Sequence, residues 1–202
     1  MQLLPSCLHP SRGQLDLTQE SQIRRYIVAT EPEVIIHTAA LTGTRQWEDN
    51  KEIAYQTNVV GTQMLVDSCL RHCPECYFVY ICTACVFRGD RGNYSERDIP
   101  YLKNFYSLTK LLGEWVVTRS NLKNWLVVRT NFAARERWPF EKAFADRYGT
   151  YLFADDLARA LCREVEERHQ GILHVCGDRK LSMFEFARLT RPDVQPMTLA
   201  QY

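Results

Sequence analysis

Apolar positions along the chain change their period in a regular way. Short runs rich in Val, Ile and aromatic residues occur at Glu33–Ala40 (EVIIHTAA), Tyr77–Phe87 (YFVYICTACVF), Trp125–Phe132 (WLVVRTNF) and Ile172–Cys176 (ILHVC). Each reads as a buried strand. Between them, apolar residues recur at helical spacing. Thr18–Thr30 begins at a Thr able to cap it, Glu52–Arg71 places Ile53, Val60 and Met64 on one face, and Ser107–Arg119 follows the same period. Asp155–Glu167 (DDLARALCREVEE) is strongly helical, and Ser182 with Glu185 makes a capping box before FEFARL. Strands alternating with helices imply an α/β fold with a doubly wound parallel sheet, its faces covered by helices on right-handed crossovers. One compact domain is expected, with 1–132 as its sheet-forming part and 133–202 as a smaller C-terminal region.

Composition narrows the picture mainly by exclusion. The 202 residues are 46% apolar and 24% charged, with a net charge of +1 and no block of like charge. Nucleic acid and anionic membranes are therefore not expected partners. The longest uncharged run, Cys76–Phe87, is too short to span a bilayer, and the N-terminal MQLLPSCLHP lacks a basic lead and carries a Pro in its apolar part. A soluble, cytoplasmic protein is the expectation. Of the eight cysteines, Cys73 with Cys76 and Cys82 with Cys85 have CxxC spacing, but only five residues separate the two pairs. That is too few for a ribbon or finger to fold around zinc, so no metal site is assigned and the thiols read as small, reduced hydrophobes.

Candidate chemistry sits where a parallel sheet collects ligands, at the carboxyl ends of its strands. His37, Thr38, Ala39 and Ala40 end the first strand, Thr83 lies late in the second, and Thr130 with Asn131 ends the third. In FYSLTKLLGEW, Tyr106 and Lys110 lie four residues apart, which puts them on one helix face. An ammonium beside a phenol favours phenolate and lowers a pKa that starts near 10, so Tyr106 is expected to exchange protons near neutral pH. His37 and His174, in apolar strands, read as core histidines. Asp155 and Asp156 read as acidic residues complementing a helix start.

These motifs carry a resemblance. The order IIHTAALTG (35–43), TNVVGT (57–62), ICTACVF (81–87), YSERDIP (94–100), YSLTKLLGE (106–114) and VVRTNF (127–132) resembles the extended short-chain dehydrogenase/reductase superfamily. Within it, the chain is most similar to the dTDP-4-dehydrorhamnose reductase-like branch of nucleotide-sugar enzymes, over roughly residues 16–187. The resemblance implies a Rossmann-like fold and an oxidoreductase using NADP or NAD on a nucleotide-activated sugar. It implies Thr83, Tyr106 and Lys110 as the catalytic set, Tyr106 giving a proton to the alkoxide formed by hydride transfer and Thr83 orienting the same oxygen. Cofactor contacts are implied for Asp16, Leu17, Ala39, Ala40, Leu41, Asn58, Tyr106, Lys110, Thr130 and Asn131. Substrate contacts are implied for Thr83 and, in the Arg- and aromatic-rich segment 133–151, for Arg135 and Arg147. Members of the superfamily pair through two helices, which makes 52–71 and 107–119 the expected surface of a homodimer.

Two features depart from the family pattern. The family opens with a strand, a GxxGxxG turn and a helix that binds the cofactor diphosphate, and none of the nine glycines here forms that pattern. The chain is therefore expected to begin about one βαβ unit into the family's order. After Thr83, the reductases carry Asp and Tyr where this chain has Ala84 and Cys85. A second reading follows: a catalytically silent regulatory or scaffolding relative, like the regulatory subunit of methionine adenosyltransferase, or an inactive fragment.

Overall fold

Every residue of Tyr77–Thr83 is buried, as a strand covered on both faces must be. The structure, a computed structural model, describes residues 7–42 and 50–202. Val34–His37 (β1), Tyr77–Thr83 (β2), Asn124–Thr130 (β3) and Gly171–Val175 (β4) form one parallel sheet in that spatial order. β1 pairs with β2 from Val34 opposite Tyr77 to His37 opposite Tyr80. The helices are Glu20–Thr30 (α1), Lys51–Tyr55 (α2), Gly61–His72 (α3), Phe105–Thr118 (α4), Ala154–Glu166 (α5) and Met183–Arg188 (α6). The doubly wound expectation is met. No helix among the described residues is long and apolar enough to cross a membrane.

The described residues divide into two compact units. The first holds the chain up to Arg129 together with Glu167–His174. Its core gathers Ile23 and Ile27 of α1, Leu65 and Val66 of α3, Phe78 and Tyr80 of β2, and Val117 of α4. Burying each of these stabilises the fold by about 1.5–3 kcal/mol relative to exposure. A glycine lets α4 approach β2: at Gly113 a Cβ would overlap the Tyr80 hydroxyl. Tyr80 instead donates its hydroxyl hydrogen to the Lys110 carbonyl at 3.1 Å. α4 is also tied to β3 by a buried ion pair. Arg129 Nε reaches Glu114 Oε2 at 3.0 Å and Arg129 Nη2 reaches Oε1 at 2.6 Å.

Three boundaries differ from the sequence reading, each for a local reason. α1 starts at Glu20 and not at Thr18, because the Thr18 amide and hydroxyl both donate to Asp16 Oδ1 in a tight turn. β2 stops at Thr83 and gives way to a 3-10 turn at Ala84–Val86, the Thr83 hydroxyl accepting from the Cys85 amide at 3.1 Å. The helix expected over 52–71 is interrupted by a π-helical turn at Gln56–Val60, a widening that accompanies functional sites more often than chance.

The second unit holds Thr130–Glu166 and Val175–Tyr202. Its sheets are two-stranded: Phe132–Ala133 with Leu152–Phe153, Lys142–Phe144 with Gln195–Met197, and Tyr148–Gly149 with Leu181–Ser182. The capping box predicted at Ser182 is present, with the Glu185 amide donating to Ser182 Oγ at 3.1 Å and the Ser182 amide donating to Glu185 Oε2 at 2.7 Å. Phe186 of α6 stacks on Tyr151 and meets Phe153 with ring centroids 4.9 and 4.8 Å away.

The Glu114–Arg129 pair yields a prediction. Glu114→Gln leaves a buried guanidinium without its counter-charge and costs about 3–5 kcal/mol, whereas the joint change Glu114→Leu with Arg129→Met restores most of that. Urea unfolding of the three proteins checks it, and equal midpoints for the single and double variants would refute the account.

Candidate active site

Asn104 opens α4 with a capping box, its side chain accepting from the Ser107 amide at 2.8 Å. This fixes the first turn, so Tyr106 and Lys110 emerge one turn apart as the spacing requires. Thr83, at the carboxyl end of β2, places its hydroxyl close enough to the Tyr106 phenol to interact with it electrostatically. Lys110 is 2% exposed, and its Nζ lies 4.2 Å from the centre of the Tyr80 ring. Thr83, Tyr106 and Lys110 are thus all carried by the β2–α4 contact.

Electrostatics at this contact differ from the sequence expectation. Burial pushes the Tyr106 phenol up from its ordinary value, with the nearby Thr83 hydroxyl pulling the other way. Burial also drives Lys110 down to about 8. Tyr106 is therefore a protonated phenol at neutral pH, suited to giving a proton, where the sequence reading had Lys110 drawing it toward phenolate. The reason is desolvation, which disfavours the charged form of both groups.

Asn58 joins the site to the sheet. Sitting in the π turn and 1% exposed, it accepts the Leu41 amide on Oδ1 at 2.8 Å. Its Nδ2 donates to the Leu41 carbonyl at 3.2 Å and to Thr109 Oγ1 at 3.0 Å. Thr109 lies beside Lys110, and its hydroxyl donates to the Tyr106 carbonyl at 2.8 Å. Behind this, Thr62 Oγ1 donates to the Asn58 carbonyl at 2.7 Å and lies 2.9 Å from His37 Nε2. A hydroxyl has one hydrogen, so His37 must carry its proton on Nε2. His37 stays neutral, driven down to about 3 by burial and then by the Lys110 charge.

The remaining expected residues fall as follows. Thr38 and Ala39 are exposed and Ala40 and Leu41 half-buried at the end of β1. Gly43, which closes that motif, lies outside the described residues. Asp16 is held by Thr18 and by Arg12, whose Nε is 3.4 Å from Asp16 Oδ2. Thr18 and Arg12 hold its carboxyl below the usual range. Leu17 is buried, with its carbonyl against Gly61. In the second unit, the Thr130 hydroxyl is buried without a partner, and the Asn131 carbonyl accepts from Leu152. Arg135 is committed to Asp155 and Asp156, with Nε 2.9 Å from Asp155 Oδ2 and Nη2 2.7 Å from Asp156 Oδ2. Arg147 is exposed, and its carbonyl accepts from Met183. Among the described residues, no group of three His, Cys, Asp or Glu is placed to hold a metal ion.

Sequence reasoning missed Tyr80, Thr109, Glu114 and Arg129. Glu114 repeats the Tyr106–Lys110 spacing once more and so was detectable on the same helix face. The other three carry no local signal.

Comparison with known proteins bears on this geometry. The family model described as RmlD substrate binding domain matches residues 5–142. A dTDP-4-dehydrorhamnose reductase from Aggregatibacter actinomycetemcomitans is 28% identical over 196 residues, covering 87% of this chain and 66% of that one. Methionine adenosyltransferase 2 subunit beta from Bos taurus is 32% identical over 113 residues, covering 56% of this chain and 33% of that one. The crystal structure of dTDP-4-dehydrorhamnose reductase from Bacillus anthracis str. Ames in complex with NADP superposes with a TM-score of 0.87 at 26% identity. It covers 98% of this chain and 78% of that one. The chain thus spans 66% of the first relative's length and 33% of the second's.

Lys110 sets a pH signature. Its folded pKa of about 8 lies below the ordinary 10.5, so between those values the unfolded chain binds more protons and stability rises with pH. Lys110→Met removes that rise and is more stable than the parent at pH 7, by up to about 3 kcal/mol less the contribution of the Tyr80 contact. Parallel unfolding curves for parent and variant from pH 7 to 10.5 would contradict the assignment.

Proposed function

The chain belongs to the RmlD substrate-binding-domain family, and from that premise we propose that it is an NADP-type oxidoreductase acting on the ketone of a nucleotide-activated sugar. The observation that carries this reading is Tyr106, its phenol kept protonated by burial, set close to the Thr83 hydroxyl and one turn from the buried Lys110. The residues present fit part of a nicotinamide nucleotide. Thr38 and Ala39 leave an open, small-residue segment at a strand end.

When bound, the cofactor supplies hydride. Tyr106 gives its phenolic proton to the alkoxide oxygen, and the Thr83 hydroxyl orients that oxygen. Lys110 would hold the ribose hydroxyls of such a cofactor, and Asn58 keeps Leu41 and α4 in register for both tasks. Of the two arginines implied for substrate, Arg147 is the better suited to an anionic diphosphate, because Arg135 is already neutralised by Asp155 and Asp156. Ile53 and Tyr55 of α2 and Trp115 of α4 are exposed, which supports pairing of two copies through these helices.

The match to methionine adenosyltransferase 2 subunit beta over 56% of the chain favours one other reading. In it the chain keeps the fold and regulates a partner without turnover.

Calorimetric titration with NADPH and NADH separates the two. The enzyme reading expects NADPH to bind in the micromolar range and Lys110→Ala to weaken it by about tenfold or more, a loss of about 1.4 kcal/mol. A folded chain that binds neither nucleotide at millimolar concentration would sink that reading and leave the regulatory one.

A further inference from the structure

Three thiols meet at the far end of β2 from Thr83. Cys69 lies in the last turns of α3, Cys73 is its C-cap, and Cys76 immediately precedes β2. Cys69 and Cys76 are buried, while Cys73 is half-buried. The three thiols lie close enough for Cys73 to interact electrostatically with both of the others. Between Cys73 and Cys76 runs a turn closed by the Cys76 amide on the Cys73 carbonyl at 2.9 Å, with Pro74 at the position where a fixed φ favours such a turn.

We propose that Cys73 and Cys76 form a dithiol that hydroperoxides convert to a disulfide across the Pro74–Glu75 turn. Backbone geometry selects this pair. A closed four-residue turn brings its end Cα atoms within about 7 Å, against a disulfide span of roughly 4.4–6.8 Å. Cys69, by contrast, is fully buried within α3 and held one helical turn from Cys73, whose amide donates to the Cys69 carbonyl at 2.8 Å. Cys73 reaches solvent and reacts first. Its thiolate attacks one peroxide oxygen and expels hydroxide, forming a sulfenic acid. The Cys76 sulfur then attacks the Cys73 sulfur, forming the S–S bond as water leaves. In balance, two thiols and one hydrogen peroxide give one disulfide and two waters.

The surroundings set the pace and the poise. Burial raises all three thiols, Cys76 to about 12, and a helix C-terminus disfavours thiolate further. The reaction is therefore slow at neutral pH. Once formed, the bond is hard to reduce, since neither thiolate that reduction would release is stabilised.

The test treats the full, reduced chain with hydrogen peroxide, alkylates the remaining thiols, and maps the peptides by tandem mass spectrometry. A Cys73–Cys76 bond within one peptide is expected, reversed by dithiothreitol and forming roughly tenfold faster per pH unit between pH 7 and 9. It is absent from Cys73→Ser and Cys76→Ser and retained in Cys69→Ser. Peroxide-treated chain in which Cys73 stays alkylatable, stops at sulfinic acid or joins another cysteine, Cys69 included, overturns the proposal. The parent chain's map decides even where a serine variant fails to fold.

Discussion

The side-chain amide of Asn58 is the contact on which the site depends. It occupies both backbone polar groups of Leu41, just past β1, and reaches Thr109 on α4. Each of these bonds is worth about 0.5–1.5 kcal/mol net, but an amide this deeply buried costs about 1–3 kcal/mol when its partners are lost. Asn58 sits within the π turn at Gln56–Val60. The Thr62 hydroxyl, backed by His37, satisfies the Asn58 carbonyl within that turn.

From this clasp follows the electrostatic character of the pair that performs the proposed chemistry. With α4 drawn onto β2, the phenol and the ammonium are both desolvated, and their pKa values move apart, the phenol upward and the ammonium downward. The protein thereby keeps a proton on Tyr106 and lowers the cost of burying Lys110. The Tyr80 ring face beneath Lys110 Nζ offsets part of that cost, and Gly113 makes the approach sterically feasible. Glu114 and Arg129 hold the same helix to β3, neutralising each other where neither could be buried alone.

Much of this was legible in the sequence, because it rests on period. Runs such as YFVYICT and helices such as FYSLTKLLGEW declare their elements by spacing, and the strand ends that follow locate the ligand side of the sheet. Local competition erased the finer boundaries: the Asp16–Thr18 turn delayed α1, and the Thr83 hydroxyl ended β2 early. Long-range partners left no trace at all. Nothing near Asn58 announces Leu41 or Thr109, and nothing near Arg135 announces that its charge belongs to Asp155 and Asp156. The direction of the Tyr106 shift was misjudged because spacing shows that a cation is near, while burial, invisible in one dimension, decides which protonation state is favoured.

The most direct test of the central claim is consumption of NADPH by the purified chain in the presence of a nucleotide-linked 4-keto sugar, compared with Tyr106→Phe. The account predicts stoichiometric conversion of ketone to alcohol by the parent and a loss of about a hundredfold or more in the variant, the scale on which positioned proton donors act. Equal rates for the two proteins, or no turnover by a chain that binds both ligands, would contradict it.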